Sequence, residues 1–175
     1  GPKWGVDLSG RYTRGTFEPS DGEDFEVASD FDEWGGDTRV IHRFNRSTNG
    51  YVQYTYTSFD FDEDFEEDYD VHDGRIGFEY SIEEDMTLSG NVGGFTRQND
   101  FSDNTTGFAF DFLFRKSLRR GGFRIQADGG YDNLFFTSEN EGFTQYARVR
   151  ATADYELFRR FFGDIYGAYR IDDFE

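Results

Sequence analysis

The stretch 107-GFAFDFLFRKSLRRGGFRIQADGGYDN-133 decides how the rest of the chain is read. In its first half Phe108, Phe110, Phe112 and Phe114 alternate with Ala109, Asp111, Leu113 and Arg115. After the basic turn at Arg119, Arg120, Gly121 and Gly122, Phe123, Ile125, Ala127 and Tyr131 alternate with Arg124, Gln126, Asp128 and Asp132. Side chains of a strand point to opposite faces with period 2. The stretch is therefore a hairpin with one apolar and one charged face, and the fold turns on which face meets solvent. If the apolar face points outward, that solvent is lipid.

Composition leans the same way. The 175 residues suffice for one domain, and 20% of them are aromatic, with 22 Phe and 11 Tyr, while all hydrophobics reach only 35%. A soluble core draws more on Leu, Ile and Val. No run approaches the ~20 apolar residues of a helical span. There are no cysteines, which removes disulfides and thiolate metal sites. Gly1-Pro2 reads as the remnant of a cleaved tag, leaving 3–175 as a single domain.

The net charge of −18 is concentrated. Residues 18–37 hold nine acids and no Lys or Arg, and residues 60–73 hold nine more, again with no base. The remainder balances 18 acids against 18 bases. This excludes nucleic acid as a partner, because that requires a basic footprint.

Alternation predicts nine strands, at 4–17, 38–46, 51–60, 71–82, 86–97, 107–118, 123–136, 143–157 and 161–172. No helical period appears. The intervening segments alternate in length. Short ones fall at 47–50, 83–85, 118–122 and 158–160, with Asn49-Gly50 as the strongest hairpin signal. Long ones fall at 18–37, 61–70, 98–106 and 137–142, and both acidic runs lie among them. Loops sorted this way belong to an up-and-down antiparallel transmembrane β-barrel of eight to ten strands, with short periplasmic turns and long acidic extracellular loops.

With the polar faces turned to the lumen, nine bases line it: Arg11, Arg39, Arg43, Arg75, Arg115, Arg124, Arg148, Arg150 and Arg170. Eight acids stand against them: Asp7, Glu79, Asp111, Asp128, Asp132, Asp154, Asp164 and Asp172. Enclosed charges persist when paired, and this near balance allows it. The other face supplies a lipid-facing belt of Phe108, Phe110, Phe112, Phe114, Phe123, Ile125, Tyr131, Val149, Tyr155, Ile165 and Tyr169. Lys116 and Arg14 interrupt it near strand ends, where they can snorkel.

In these alternating strands, sorted loops and balanced faces the chain resembles small outer-membrane β-barrel proteins of Gram-negative bacteria. The resemblance implies a place in the bacterial outer membrane, contact with membrane lipid and lipopolysaccharide, and no cofactor. Two features depart from it. Such barrels usually end on an aromatic residue, whereas here Phe174 is followed by Glu175. Their strand number is even, and nine are counted. The stretch 25–29 supplies a tenth strand, or one end strand lies outside the closed barrel, or the barrel continues past residue 175. The end strands are also alike: Asp7-Leu8-Ser9-Gly10-Arg11-Tyr12 aligns with Asp164-Ile165-Tyr166-Gly167-Ala168-Tyr169, and Phe17-Glu18 with Phe174-Glu175.

Chemistry-bearing motifs are sparse. His42 and His72 lack the Ser or Asp context of a hydrolase. Asp60, Asp62 and Asp64 begin like a calcium loop, but Phe65 and Val71 stand where Gly and Glu are needed. With Glu66 and Glu67 they are at most weak divalent-cation ligands, or a partner-binding strip with the interleaved Phe59, Phe61, Phe65 and Tyr69. The expectation is a non-enzymatic barrel with a structural, adhesive or partner-binding role and a narrow or plugged lumen. A porin-like pore, whole or segment, and a soluble lipocalin-like binder of apolar ligands are the alternatives. A barrel enzyme acting on lipid or peptide ranks last.

Overall fold

The computed structural model describes residues 3–16, 30–62, 68–99, 104–133, 143–158 and 161–174. Nine strands account for almost all of them: β1 (Trp4–Gly15), β2 (Phe31–Arg43), β3 (Thr48–Phe61), β4 (Tyr69–Glu83), β5 (Met86–Asn99), β6 (Thr105–Leu118), β7 (Gly121–Asn133), β8 (Phe143–Phe158) and β9 (Phe161–Phe174). They form one antiparallel sheet in sequence order, β1 to β9, each strand paired only with its chain neighbours. No helix occurs among the described residues.

The expected closed barrel is corrected here to an open sheet. Among the described residues no ladder joins β1 to β9, and both remain edges. The reason is directional. In an up-and-down sheet of nine strands the two outer strands run the same way, so an antiparallel closing ladder between them is excluded.

Strand ends also moved. β2 begins at Phe31, not 38, so Asp32, Glu33 and Asp37 are strand residues. Acidic density hid an alternation that Trp34, Gly36 and Thr38 continue. The β2–β3 turn falls at 44–47, ahead of Asn49-Gly50, which pair within β3. Asn45 makes it: its Oδ1 accepts the Ser47 N–H at 2.8 Å, and the Phe44 N–H donates to the Thr48 carbonyl at 3.0 Å. This side-chain mimic of a backbone turn outcompetes the Asn-Gly signal. The stretch 25–29, one of the three explanations offered for the odd strand count, lies outside the described residues.

Register fixes the tilt. One row of paired residues runs Val6, Val40, Val52, Ile76, Val92, Phe110, Gly129, Ala147 and Ile171. On β3, β5, β7 and β9 this row lies 4, 6, 8 and 10 residues above the strand start (52 − 48, 92 − 86, 129 − 121, 171 − 161). The sheet thus slips by one residue per strand. With ~3.3 Å per residue and ~4.8 Å between strands, the strands tilt by roughly 35°, the lower end of the range for barrels.

The sheet is also curved. Phe31, Phe59, Tyr69, Val71, Phe95 and Ala109 form a buried cluster, with Val71 1%, Phe95 2% and Ala109 0% exposed. A flat single layer cannot hide side chains so completely. All six lie on the face that also carries Asp73 and Asp128.

Candidate functional site

The two faces of the sheet are the candidate feature, and each is built by period-2 alternation carried across the ladders. The inner face holds every residue expected at the lumen whose side chain is described. Asp7, Arg11, Arg43, Arg75, Glu79, Asp111, Arg115, Arg124, Asp128, Arg148, Arg150, Asp154, Asp164 and Arg170 all share it, and so do Arg39 and Asp172. Alternation had missed Glu33, Asp37, Asp73 and Arg97, which lie there too.

These groups pair locally. Asp128 is 5% exposed and accepts from Arg148 at 2.7 Å and Arg150 at 3.1 Å. Arg75 is held by the buried Asp73 two residues before it, and it also donates to Asn91. Arg39 donates to Glu79 at 2.7 Å while its guanidinium lies 3.6 Å from the centre of the Tyr51 ring. Gln53 and Thr55 both donate to Asp37, and Gln126 donates to Asp111. Arg170 donates to Asp172 and covers Tyr146. Charge-assisted and bidentate contacts of this kind are the strong ones, and arginine's planar fork suits them.

Arg115 and Arg124 are different. They stand opposite each other on β6 and β7, both exposed, near the short-turn end.

The residues expected as a lipid-facing belt fall, with one exception, on the opposite face. Phe108, Phe110, Phe112, Phe114, Phe123, Ile125, Val149, Tyr155, Ile165 and Tyr169 share it. Leu8 is 74% exposed, Val52 58% and Ile165 76%. Tyr131 is the exception and is corrected to the inner face. Its ring packs on Phe95 at 4.8 Å and against the buried cluster. The β6–β7 ladder ends at Phe110 and Gly129, after which β7 follows β8 alone. Alternation read from Phe123 and Ile125 no longer dictates the face beyond that point.

Once the slip of one residue per strand is allowed for, the outer residues sort by height. Level with Leu8 lie Val52, Gly90, Ile125 and Ile165 on the other odd strands. On the even strands Ile76, Phe78, Phe112, Phe114, Ala151 and Ala153 fall there, and no charge does. Four residues below Leu8, the Trp4 ring packs at a tilt on His42 with centroids 4.3 Å apart, and His42 meets Phe44 edge-on at 4.7 Å. Tyr80 and Tyr155 lie near that level, as does Lys116, which is held by Glu83 and Asp85 at 3.1 Å. Four residues above Leu8, the Tyr12 ring packs at a tilt on Trp34 with centroids 4.4 Å apart, with Tyr56 and His72 alongside. The two aromatic girdles are eight residues apart along β1, or roughly 22 Å in height at the tilt above.

Beyond the upper girdle the outer face turns acidic, with Asp32, Asp60 and Asp70, and Arg14 near Asp32 and Asp62. Burial at the strand end, then Asp68, Asp70 and Asp32, push the Asp60 carboxyl above its usual range. Of the weak cation candidates, Asp64, Glu66 and Glu67 lie outside the described residues. Among the described residues no three His, Asp or Glu side chains are grouped to hold a metal ion. His42 sits among aromatic rings, and the Tyr54 hydroxyl meets His72 Nδ1 at 2.6 Å.

Comparison of the chain with protein-family models, with curated proteins and with solved structures gives no match.

Proposed function

We propose that this chain spans a bilayer as an outer-membrane-type β-barrel. Its outer face meets lipid, its inner charges pair around a narrow lumen, and its acidic loop end faces outward from the cell. The observation that carries this reading is the order of the outer face by height: a charge-free apolar level between two aromatic girdles, with charges only at the lower girdle, where Lys116 sits, and past the upper one. Membrane barrels have an outer apolar band of ~25 Å flanked by such girdles, and the roughly 22 Å between Trp4 and Tyr12 is of that size. A soluble monomer seldom leaves more than roughly 300–600 Å² of apolar surface contiguous. Here Val6, Leu8, Val40, Val52 and Ile76 alone are neighbours, all exposed.

The inner face favours a filled lumen over a wide pore. Arg39 lies on Tyr51, Arg97 on Tyr69, and Tyr131 reaches Phe95, so long side chains occupy the concave side. A barrel of about eight strands has an interior just filled in this way. The role that follows is structural, adhesive or partner-binding, with lipid and lipopolysaccharide at the belt and a protein or divalent cations at the acidic end.

Refolding tests the reading. The chain should need detergent micelles or lipid vesicles to become monodisperse, and vesicles should protect its strands from protease. A monodisperse, folded chain in buffer without detergent would overturn it. Planar bilayers should show no large conductance step; a stable step of porin size would replace the filled barrel with a channel.

A further inference from the structure

The open edges carry one more inference. β1 and β9 share the Asp-x-x-Gly-x-Tyr pattern of Asp7, Gly10 and Tyr12 against Asp164, Gly167 and Tyr169, offset by 157 residues. The paired row that contains Val6 reaches β9 at Ile171, whereas the sequence match to Val6 is Gly163, eight residues lower (171 − 163). Eight strand steps separate β1 from β9, and the sheet slips one residue at each. The two displacements cancel, so matched residues of β1 and β9 stand at the same height, on the same face, in strands that run the same way.

We propose that β1 and β9 are alternative occupants of one slot between β8 and β2, and that the free edge of β9 is a docking edge for β2 of the same chain. Pairing β9 with β2 closes an eight-stranded, wholly antiparallel barrel with a slip of eight residues around it, and β1 is displaced. β9 keeps the partners β2 already has. Asp164 comes opposite Arg39 as Asp7 does now, Gly167 opposite Gly36 as Gly10 does, and Tyr169 opposite Trp34 as Tyr12 does. The free side of β9 corresponds to the side of β1 that β2 occupies, because the strand order runs one way around the sheet. Unpaired edges are a liability in water and are not tolerated in lipid, so the inference does not depend on the membrane reading.

The chain has no cysteine, which makes disulfide mapping clean. Thr38 is the present partner of Leu8, whose match in β9 is Ile165. The full-length double variant Thr38→Cys/Ile165→Cys, folded in micelles and oxidised with copper phenanthroline, should give a cross-linked monomer that runs faster on a non-reducing gel. Trp34→Cys/Tyr169→Cys reads the same seam at another height, should one pair disturb folding, and Leu8→Cys/Thr38→Cys reports the competing β1–β2 pairing. Folded protein that links only through Leu8→Cys/Thr38→Cys, or through neither seam pair, overturns the proposal. So do β2–β9 links that join two chains. The link reports strand adjacency in lipid or water, so its failure is separate from failure of the membrane reading.

Discussion

Val52→Arg is the sharpest test of which solvent the outer face meets. Val52 lies at the apolar level on β3, between Val40 and Ile76, and is 58% exposed. In lipid an arginine at the midplane costs ~2–4 kcal/mol, falling to ~0–1 near the interfaces. Ser58 on the same strand and face is the internal control. It stands six residues higher (58 − 52), which at ~3.3 Å per residue and the tilt of roughly 35° is about 16 Å. Half of a ~25 Å band is about 12 Å, so Ser58 lies beyond it. Equilibrium guanidinium unfolding from vesicles should therefore show Val52→Arg less stable than Ser58→Arg by roughly 2–3 kcal/mol. In water, a charge on an exposed face changes stability by only about 0.5 kcal/mol either way. Equal stabilities for the two variants would refute the lipid-facing assignment, and higher solubility for Val52→Arg without detergent would replace it with a water-facing one.

Other outcomes follow from named contacts. Asp128→Asn removes the carboxylate shared by Arg148 and Arg150; because both arginines keep some solvent, the loss should be roughly 2–3 kcal/mol, below the ~3–5 of a fully buried pair, measured by the same unfolding curves. Asp60→Asn should raise thermal stability at neutral pH. Its carboxyl is held above the usual range, so ionisation works against the folded strand end above that folded value, and the advantage of the variant should vanish in acid, where Asp60 is protonated. Gly93→Ala should be far more damaging than Gly74→Ala. A Cβ at Gly93 would meet the Gly74 carbonyl oxygen at 2.0 Å, whereas one at Gly74 has nothing within 4 Å; chemical denaturation of the two variants reads the difference.

Much of the sheet was legible because one rule, alternation, acts residue by residue. Every described strand overlaps a segment read from the sequence, and Phe108 through Phe114 share a face as the pattern requires. What escaped the reading depended on competition between signals. Asn45 holds the turn that Asn49-Gly50 advertised, because its side chain accepts the Ser47 N–H. β2 ran seven residues further back than expected (38 − 31), through acids that look like loop and are strand. Tyr131 changed face where β7 loses β6, a tertiary event that no local pattern encodes. The inner charges were named as a group, yet their pairing was not readable. Asp73 holds Arg75 on its own strand, while Asp128 reaches across to β8.

The pairing of each strand only with its sequence neighbours also bears on how the chain would assemble. Each tight hairpin closes through a turn of a few residues, as at 44–47 and 119–120, quickly and with little loss of entropy, while the longer connections join one hairpin to the next. A register error is correspondingly dangerous: a slip of one residue at any turn would carry every later strand's arginines to the outer face and its phenylalanines inward. The Asn45 turn and the two-residue turn at 119–120 are thus points where the sidedness of the whole molecule is set early, one hairpin at a time.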